Sequence, residues 1–327
     1  MSLRIVGADK DEFSLGPTED GTYEEANGGT EMMRRELYAR VDKELTDQFQ
    51  IICSRVRWID PKKPTVLWLH DTWDDPESQH LAEEERVKRF TKLVFVSNYQ
   101  LNTYYLAHGV PYSSSIVLQN AIEPISVTEK KTEQIKIIYH TTPHRGLNIA
   151  VAAIQELAKH HGDFIHFDVY SSFEAYGWKE RDKEFEGLYN TIREHPQMTY
   201  HGFQPNNVVR DALREAHIFA YPSTWPETSC IAAIEAMSAG CEVVCPNFAA
   251  LPETTANFAS MYQWHENANQ HANIFANVLH TAIKNRFDDN STRKLNFQKT
   301  YIDNFYNWEL RAQQWTGLLR GLLETSR

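Results

Sequence analysis

The stretch YPSTWPETSCIAAIEAMSAGCEVVCPNFAALPE, residues 221–253, decides the fold of this chain. It predicts a proline-bounded loop and then a helix that begins near Thr228 or Ser229, because either hydroxyl can cap free backbone N–H groups. Gly240 ends the predicted helix, and a β-branched run at 242–245 follows it. A helix that leads directly into a buried strand indicates an α/β layer.

Two carboxylates frame this predicted helix. Glu227 lies just ahead of its first turn, and Glu235 lies about a turn and a half inside it. The positive end of the helix dipole and several unpaired N–H groups lie between them, which predicts an anion site flanked by acids. A diphosphate esterified to sugars fits such a site. Taken alone, Glu235 could equally be a solvated helix residue and Glu227 a residue that complements the dipole.

The same stretch resembles the donor-site signature of retaining glycosyltransferases of the GT-B fold, of the family 4 type. The matching residues are Glu227, Glu235-Ala236-Met237, Gly240 and Pro252-Glu253. The resemblance implies an α/β protein with two Rossmann-like domains whose parallel sheets face a central cleft. It also implies that Glu235 binds ribose hydroxyls and that Glu227 is catalytic, close to the donor sugar.

Two departures from the family pattern reduce the glycine content of the signature. Thr228-Ser229-Cys230 replaces the usual Gly-Phe-Gly, and Ala249-Ala250 replaces a usual glycine pair. Fewer glycines leave less room for a close approach of the backbone to a ligand.

A candidate phosphate-binding element with basic residues lies at the start of the predicted second domain. The strand 135–139 is followed by a tight turn that carries His140 and Arg145, and then by a helix. A guanidinium at that place can grip a diphosphate in bidentate fashion, although an arginine at a helix start is otherwise usually a surface cation. The resemblance implies that Arg145 holds the leaving phosphates, with His140 where a second basic group often lies.

Two elements of the first domain also match the family. Gly28, Gly29 and Glu31 match an element that faces the diphosphate, although two glycines before a helix are more often a simple turn. His70 follows a strand-like run, 65–69, and the resemblance implies a catalytic contact with the donor. An isolated histidine there could instead satisfy loop backbone.

The remaining donor-binding residues follow from the resemblance as well. They lie at strand ends or at the start of the signature helix: Tyr170, Phe203, Gln204, Thr228, Ser229, Cys230 and Ile231. The loop acids Asp71, Asp74 and Asp75 form a weak metal motif, and no metal site is predicted.

Composition excludes several classes of function. The chain has 327 residues, 42% hydrophobic and 24% charged, with a formal charge of −11, which disfavours nucleic acid and anionic membranes as partners. No apolar run approaches the roughly 20 residues that span a bilayer, and no signal-peptide pattern precedes the domains, so we expect a cytoplasmic protein. The four cysteines lie mainly in apolar or strand-like contexts without metal-binding spacing, which predicts buried thiols.

The length suits two domains. We predict a shortened acceptor-side Rossmann-like domain at 1–127, a nucleotide-sugar-binding domain at 128–304, and a terminal helix at 305–327 that crosses back to the first domain. A short strand is also expected within residues 2–6, and an acidic turn at Asp288-Asp289.

The predicted function is transfer of a hexose from a nucleotide diphosphate sugar to a hydroxyl of a glycan or small-molecule acceptor, with retention of anomeric configuration. No metal and no cofactor are expected beyond the nucleotide sugar as co-substrate. Alternatives are a GT-B nucleotide-sugar epimerase, a phosphorylase, or a catalytically silent nucleotide-sugar-binding protein. A phosphorylase needs a pyridoxal lysine that the sequence does not suggest, and a dehydrogenase is disfavoured because no GxGxxG follows a strand. The donor base and sugar, the acceptor and the oligomeric state stay open.

Overall fold

A computed structural model describes residues 28–325 of the chain. The strand expected within residues 2–6 lies outside the described residues. The described strands all belong to parallel sheets. They are β1 (Gln50–Cys53), β2 (Thr65–Leu69), β3 (Lys92–Phe95), β4 (Ser115–Val117), β5 (Ile135–Tyr139), β6 (Ile165–Val169), β7 (Met198–Tyr200), β8 (Ile218–Ala220), β9 (Glu242–Pro246) and β10 (Ser260–Tyr262).

The helices alternate with these strands along most of the chain, as expected for an α/β fold. They are α1 (Gly29–Arg40), α2 (Lys43–Thr46), α3 (Glu84–Val87), α4 (Asn98–His108), α5 (Leu147–His161), α6 (Glu186–Glu194), α7 (Asn206–Glu215), α8 (Ile231–Ser238), α9 (Leu251–Thr254), α10 (Ala268–Asn285), α11 (Asp289–Phe305) and α12 (Trp308–Thr325). Short 3-10 segments cover Pro76–Ala82, Tyr112–Ser114, Pro143–Arg145, Gly162–Phe164, Phe173–Tyr176 and Lys179–Phe185. None of these described helices is both long enough and apolar enough to cross a membrane.

The chain divides into two compact units. Among the described residues, the first comprises residues 28–121 together with Trp308–Thr325, and the second is Ile122–Asn307. The sequence placed these boundaries after residues 127 and 304. The segment after Ala121 packs with the second unit, because the Ile122 N–H donates to the carbonyl of Tyr306 at 2.7 Å.

The first unit contains a sheet whose strands follow in chain order, β1-β2-β3-β4. Its core, on one face, includes Ile52, Leu67 and Phe95, each fully buried. Helix α12 belongs to this unit, and its Trp315 packs edge-on against Trp68 of β2 with ring centroids 4.9 Å apart.

The second unit contains a six-stranded sheet in the order β10-β9-β8-β5-β6-β7. Every residue of β9 is buried, so both faces of the sheet are covered there. Its core extends from the sheet into α5, α8 and α10. All four cysteines are buried free thiols, which confirms that prediction.

Helix α11 is among the elements that the sequence did not predict. Helix α11 begins at Asp289, where an acidic turn was expected. Its buried stripe is thin and includes the amide of Gln298, which donates to the carbonyl of Cys241 at 2.8 Å. A buried polar residue on the inner face weakens the apolar periodicity that identifies a helix.

Candidate active site

The site of interest lies where the strand order of the second unit reverses. From β5 the chain moves outward through β6 and β7, and it then returns to the other side of β5 with β8. Because β5 and β8 are neighbours, the loops that follow them lie side by side at the carboxyl edge of the sheet, and the chain leaves them toward opposite edges of the sheet. In open α/β sheets this switch point is the usual place for a ligand.

Gly146 lets these two loops lie against each other. Its φ of +106° lies in the region that favours glycine, and a Cβ atom built on it would stand 2.1 Å from the carbonyl oxygen of Pro222. A glycine is therefore required at this place, and it presents the neighbouring Arg145 toward the loop after β8.

An ion pair joins the two loops. Nη1 of Arg145 donates to Oε1 of Glu227 at 2.5 Å, and the hydroxyl of Tyr221 donates to the same carboxylate oxygen. The Glu227 side chain is 5% exposed and that of Arg145 19%, so the pair is largely removed from water. The guanidinium also lies 5.8 Å from the ring of Trp225 and 3.4 Å from the hydroxyl of Tyr176.

The loop after β5 carries an unusual run of unsatisfied polar atoms. Five side-chain atoms there are buried without a hydrogen-bond partner among residues 28–325: His140 Nε2, Thr141 Oγ1, Thr142 Oγ1, His144 Nδ1 and Arg145 Nε. Buried polar groups are normally paired, so these atoms are available to a bound ligand or to water. Burial lowers the pKa of His140 to about 3, so its imidazole is neutral at physiological pH.

The second carboxylate of the signature lies in a different environment. Glu235 is 4% exposed, and Oε1 accepts from Nη1 of Arg210 at 2.7 Å. The amide of Asn206 lies 3.3 Å and 3.2 Å from its two oxygens. Burial raises the pKa of Glu235, and the charge of Arg210 opposes that shift. The sequence did not reveal these partners, because nothing in the spacing of α7 links it to α8.

The helix between the carboxylates begins later than the sequence predicted. Helix α8 starts at Ile231, and its N-cap residue, Cys230, makes no capping hydrogen bond with its side chain. Thr228 and Ser229 instead lie in the turn that precedes it. The predicted end is confirmed, because Gly240 adopts φ +71° and the N–H groups that follow the helix return to its last carbonyls.

The other predicted donor-binding residues of the second unit lie after β6 and β7. Tyr170 stacks on His201 with ring centroids 4.2 Å apart and an interplanar angle of 5°. The amide of Gln204 donates to the His201 carbonyl at 3.0 Å, and Phe203 is half-buried beside it. These residues form a small platform at the carboxyl edge of the same sheet.

The predicted site residues of the first unit lie at the start of α1 and directly after β2. Gly28 is the N-cap of α1 and Gly29 is its first residue. His70 follows β2 beside the ring of Trp68, and the backbone N–H of His70 donates to the hydroxyl of Ser54 at 2.8 Å. Burial, and then the charge of Arg55, lower the pKa of His70 to about 3. No group of three or more metal-ligating side chains was found among the described residues.

Comparisons with known proteins place this chain in a family. The family model described as "Glycosyl transferases group 1" matches residues 119–295, more than half of the 327 residues. No curated protein matched the sequence.

Solved structures show the same fold at low sequence identity. A glycosyltransferase from Rickettsia africae aligns with a TM-score of 0.67 at 14% identity, over 90% of this chain and 81% of that one. The sucrose-phosphate synthase of Thermosynechococcus elongatus gives 0.63 at 16%, over 81% and 69%. Anabaena HepE, in complex with UDP and glucose, gives 0.63 at 15%, over 79% and 72%. The two parallel sheets and these likenesses confirm the predicted α/β, GT-B fold, and the chain belongs to the glycosyl transferases group 1 family.

Proposed function

We propose that this protein transfers a hexose from a nucleotide diphosphate sugar to an acceptor hydroxyl with retention of anomeric configuration. The observation that carries the proposal is the loop after β5. It carries five buried side-chain polar atoms that have no partner among the described residues, and one of the five is Nε of the cationic Arg145 guanidinium. A diphosphate offers oxygens that accept from several such donors at once.

The chemistry depends on stabilising the leaving group. When the bond between the anomeric carbon and oxygen breaks, negative charge develops on the terminal phosphate of the nucleotide. Arg145 and the first N–H groups of α8, which begins at Ile231, are the groups that would receive this charge. Because Arg145 pairs with Glu227 in this structure, donor binding requires the guanidinium to share or exchange that partner.

The two carboxylates have separate proposed roles. Glu227 lies on the loop after β8, which packs against the loop that carries Arg145. It binds hydroxyls of the donor sugar close to the reacting carbon. Glu235 binds ribose hydroxyls, and its paired but not saturated oxygens leave acceptor sites for them. The platform of Tyr170, Phe203 and Gln204 serves the nucleoside. The proposal of retention rests on the resemblance of the signature to retaining enzymes. The proposed roles of His70, Gly28 and Gly29 rest on the match of those residues to family motifs.

Uridine diphosphate sugars are the first donors to test, because UDP and glucose are bound in the solved structure of Anabaena HepE. We propose that catalysis is independent of metal ions, since the Arg145 guanidinium and the first N–H groups of α8 would stabilise the leaving phosphate in place of a metal. The acceptor is a glycan or a small molecule, and the protein acts in the cytoplasm.

A transfer assay separates this function from its alternatives. Purified protein is incubated with UDP-glucose and a panel of sugar acceptors, with and without EDTA, and release of UDP and of glycosylated product is measured. We expect equal turnover in both conditions. Abolition by EDTA with recovery on adding magnesium or manganese would contradict metal independence. Binding without any turnover would identify a silent nucleotide-sugar-binding protein, and conversion of the sugar nucleotide without use of acceptor would identify an epimerase.

A further inference from the structure

We infer that the hydroxyl of Tyr221 is a positioning group that makes Arg145 available to the diphosphate. The inference rests on the proposed function, since it concerns the same anion site. Oε1 of Glu227 accepts from both Tyr221 and Arg145, so the two donors share one buried oxygen. No predicted role required Tyr221, and its contact with the carboxylate became visible only in the structure.

The Tyr221 ring is held so that its hydroxyl cannot leave the carboxylate easily. The residue is fully buried at the end of β8. Its ring stacks on Phe219 at 5.1 Å with an interplanar angle of 12°, and Tyr139 lies on another side with ring centroids 6.2 Å apart. Burial raises the pKa of Tyr221 well above its usual value, so the group stays protonated and donates.

The hydrogen bond from Tyr221 changes the free energy needed to move Arg145 away from Glu227. Glu227 is 4% exposed, and a buried carboxylate that loses its only donor is strongly disfavoured. While Tyr221 donates to Oε1, the carboxylate keeps a hydrogen bond when Arg145 turns toward a phosphate. The tyrosine hydroxyl therefore lowers the cost of moving the guanidinium from carboxylate to ligand.

We therefore expect Tyr221→Phe to weaken the binding of a nucleoside diphosphate only while Glu227 keeps its carboxylate. UDP affinity is measured by titration calorimetry for the parent, Tyr221→Phe, Glu227→Gln and the double variant. In the parent background we expect Tyr221→Phe to weaken affinity about tenfold, the size of one hydrogen bond to a charged group. In the Glu227→Gln background the same change should alter affinity by less than about twofold.

A matched control comes from Tyr262, a buried tyrosine in β10 whose hydroxyl bonds Nε2 of His271 at 2.7 Å. Tyr262→Phe removes the hydroxyl of another buried tyrosine, and UDP affinity should stay at the parent value. The Tyr221→Phe variant retains the aromatic ring at position 221, so it keeps the packing of the core. Any unfolded fraction appears as reduced stoichiometry in the titration, which leaves the dissociation constant interpretable.

Two results would overturn the inference. One is a parent-like affinity for Tyr221→Phe, and the other is an equal loss of affinity in both backgrounds, which indicates a purely structural effect. A parent protein that binds no nucleoside diphosphate would instead reject the proposed function. A parent that binds UDP without transferring sugar rejects only the transferase proposal and leaves this test intact.

Discussion

The second unit contains two buried glutamate–arginine pairs that look alike and are built differently. Glu227 and Glu235 are each 4% exposed, and each accepts from one guanidinium. The Glu227–Arg145 pair joins two loops at the switch point of the sheet. The Glu235–Arg210 pair joins two regular helices, α8 and α7.

The two pairs differ in how many hydrogen bonds each arginine side chain makes. Nη1 of Arg210 donates to Glu235 at 2.7 Å and Nη2 donates to the Glu123 carbonyl at 2.6 Å, so both ends of the fork are bound. Arg145 has one strong bond, a long contact of 3.4 Å to Tyr176, and an Nε without a partner among the described residues. The loop pair still has an N–H donor that a ligand can use. The helix pair has both ends of its guanidinium bound, which is typical of a structural contact that holds two helices together.

The largest expected effect is that of Gly146→Ala, which should separate the two loops that carry Glu227 and Arg145. The new Cβ meets the Pro222 carbonyl and the backbone φ of +106° is strained for any other residue, so we expect a loss of about 4 kcal/mol in unfolding free energy. Urea unfolding measures this loss. UDP affinity should fall as well.

The control is Gly109→Ala, at the C-cap of α4. Gly109 has a φ of +69°, but nothing lies within 4 Å of its added Cβ, so the change should lower the unfolding free energy by only about 1 kcal/mol. If the two substitutions destabilise the protein equally, the close packing of the loop after β5 against Pro222 is not important.

A smaller effect is expected from Ala249→Gly, which tests strain beside the loop pair. Ala249 replaces a glycine of the family pattern, and its φ of +53° lies in the left-handed region. The next residue, Ala250, donates its N–H to the Glu227 carbonyl at 3.1 Å. Relief of the strain should raise the unfolding free energy by about 0.5–1 kcal/mol, after allowing for the entropy of glycine.

Ala250→Gly supplies the matched comparison for this change. Its φ of −79° suits alanine, so the glycine variant should be less stable than the parent by about 0.5–1 kcal/mol. A loss of unfolding free energy in both variants, measured by urea unfolding, would show that the backbone of Ala249 carries no strain.

Much of this arrangement could be predicted from the sequence because it depends on local patterns. Arg145 follows a buried strand and precedes a helix, and Gly240 terminates α8, since both features need only neighbours in the chain. The start of α8 was predicted wrongly. Capping by Thr228 or Ser229 is worth only about 1 kcal/mol, so a capping residue in the sequence does not by itself fix where the helix begins.

The partners of the carboxylates could not be predicted because they are separated widely in sequence. Arg145 lies 82 positions before Glu227, and Arg210 lies 25 positions before Glu235. Two glutamates eight positions apart indicate a site, but only the strand order of the sheet decides which arginine meets which glutamate.

The most direct test of the account compares Arg145→Ala with Arg210→Ala in the binding of inorganic pyrophosphate, measured by titration calorimetry. Pyrophosphate lacks the ribose that Glu235 is proposed to hold, so only the phosphate site is probed. The account predicts that Arg145→Ala weakens pyrophosphate binding about 10- to 100-fold, the size of a lost charge-assisted contact, and that folded Arg210→Ala stays within about threefold of the parent. Equal losses in both variants, or a parent-like affinity for Arg145→Ala, would contradict the assignment of the loop pair as the diphosphate site.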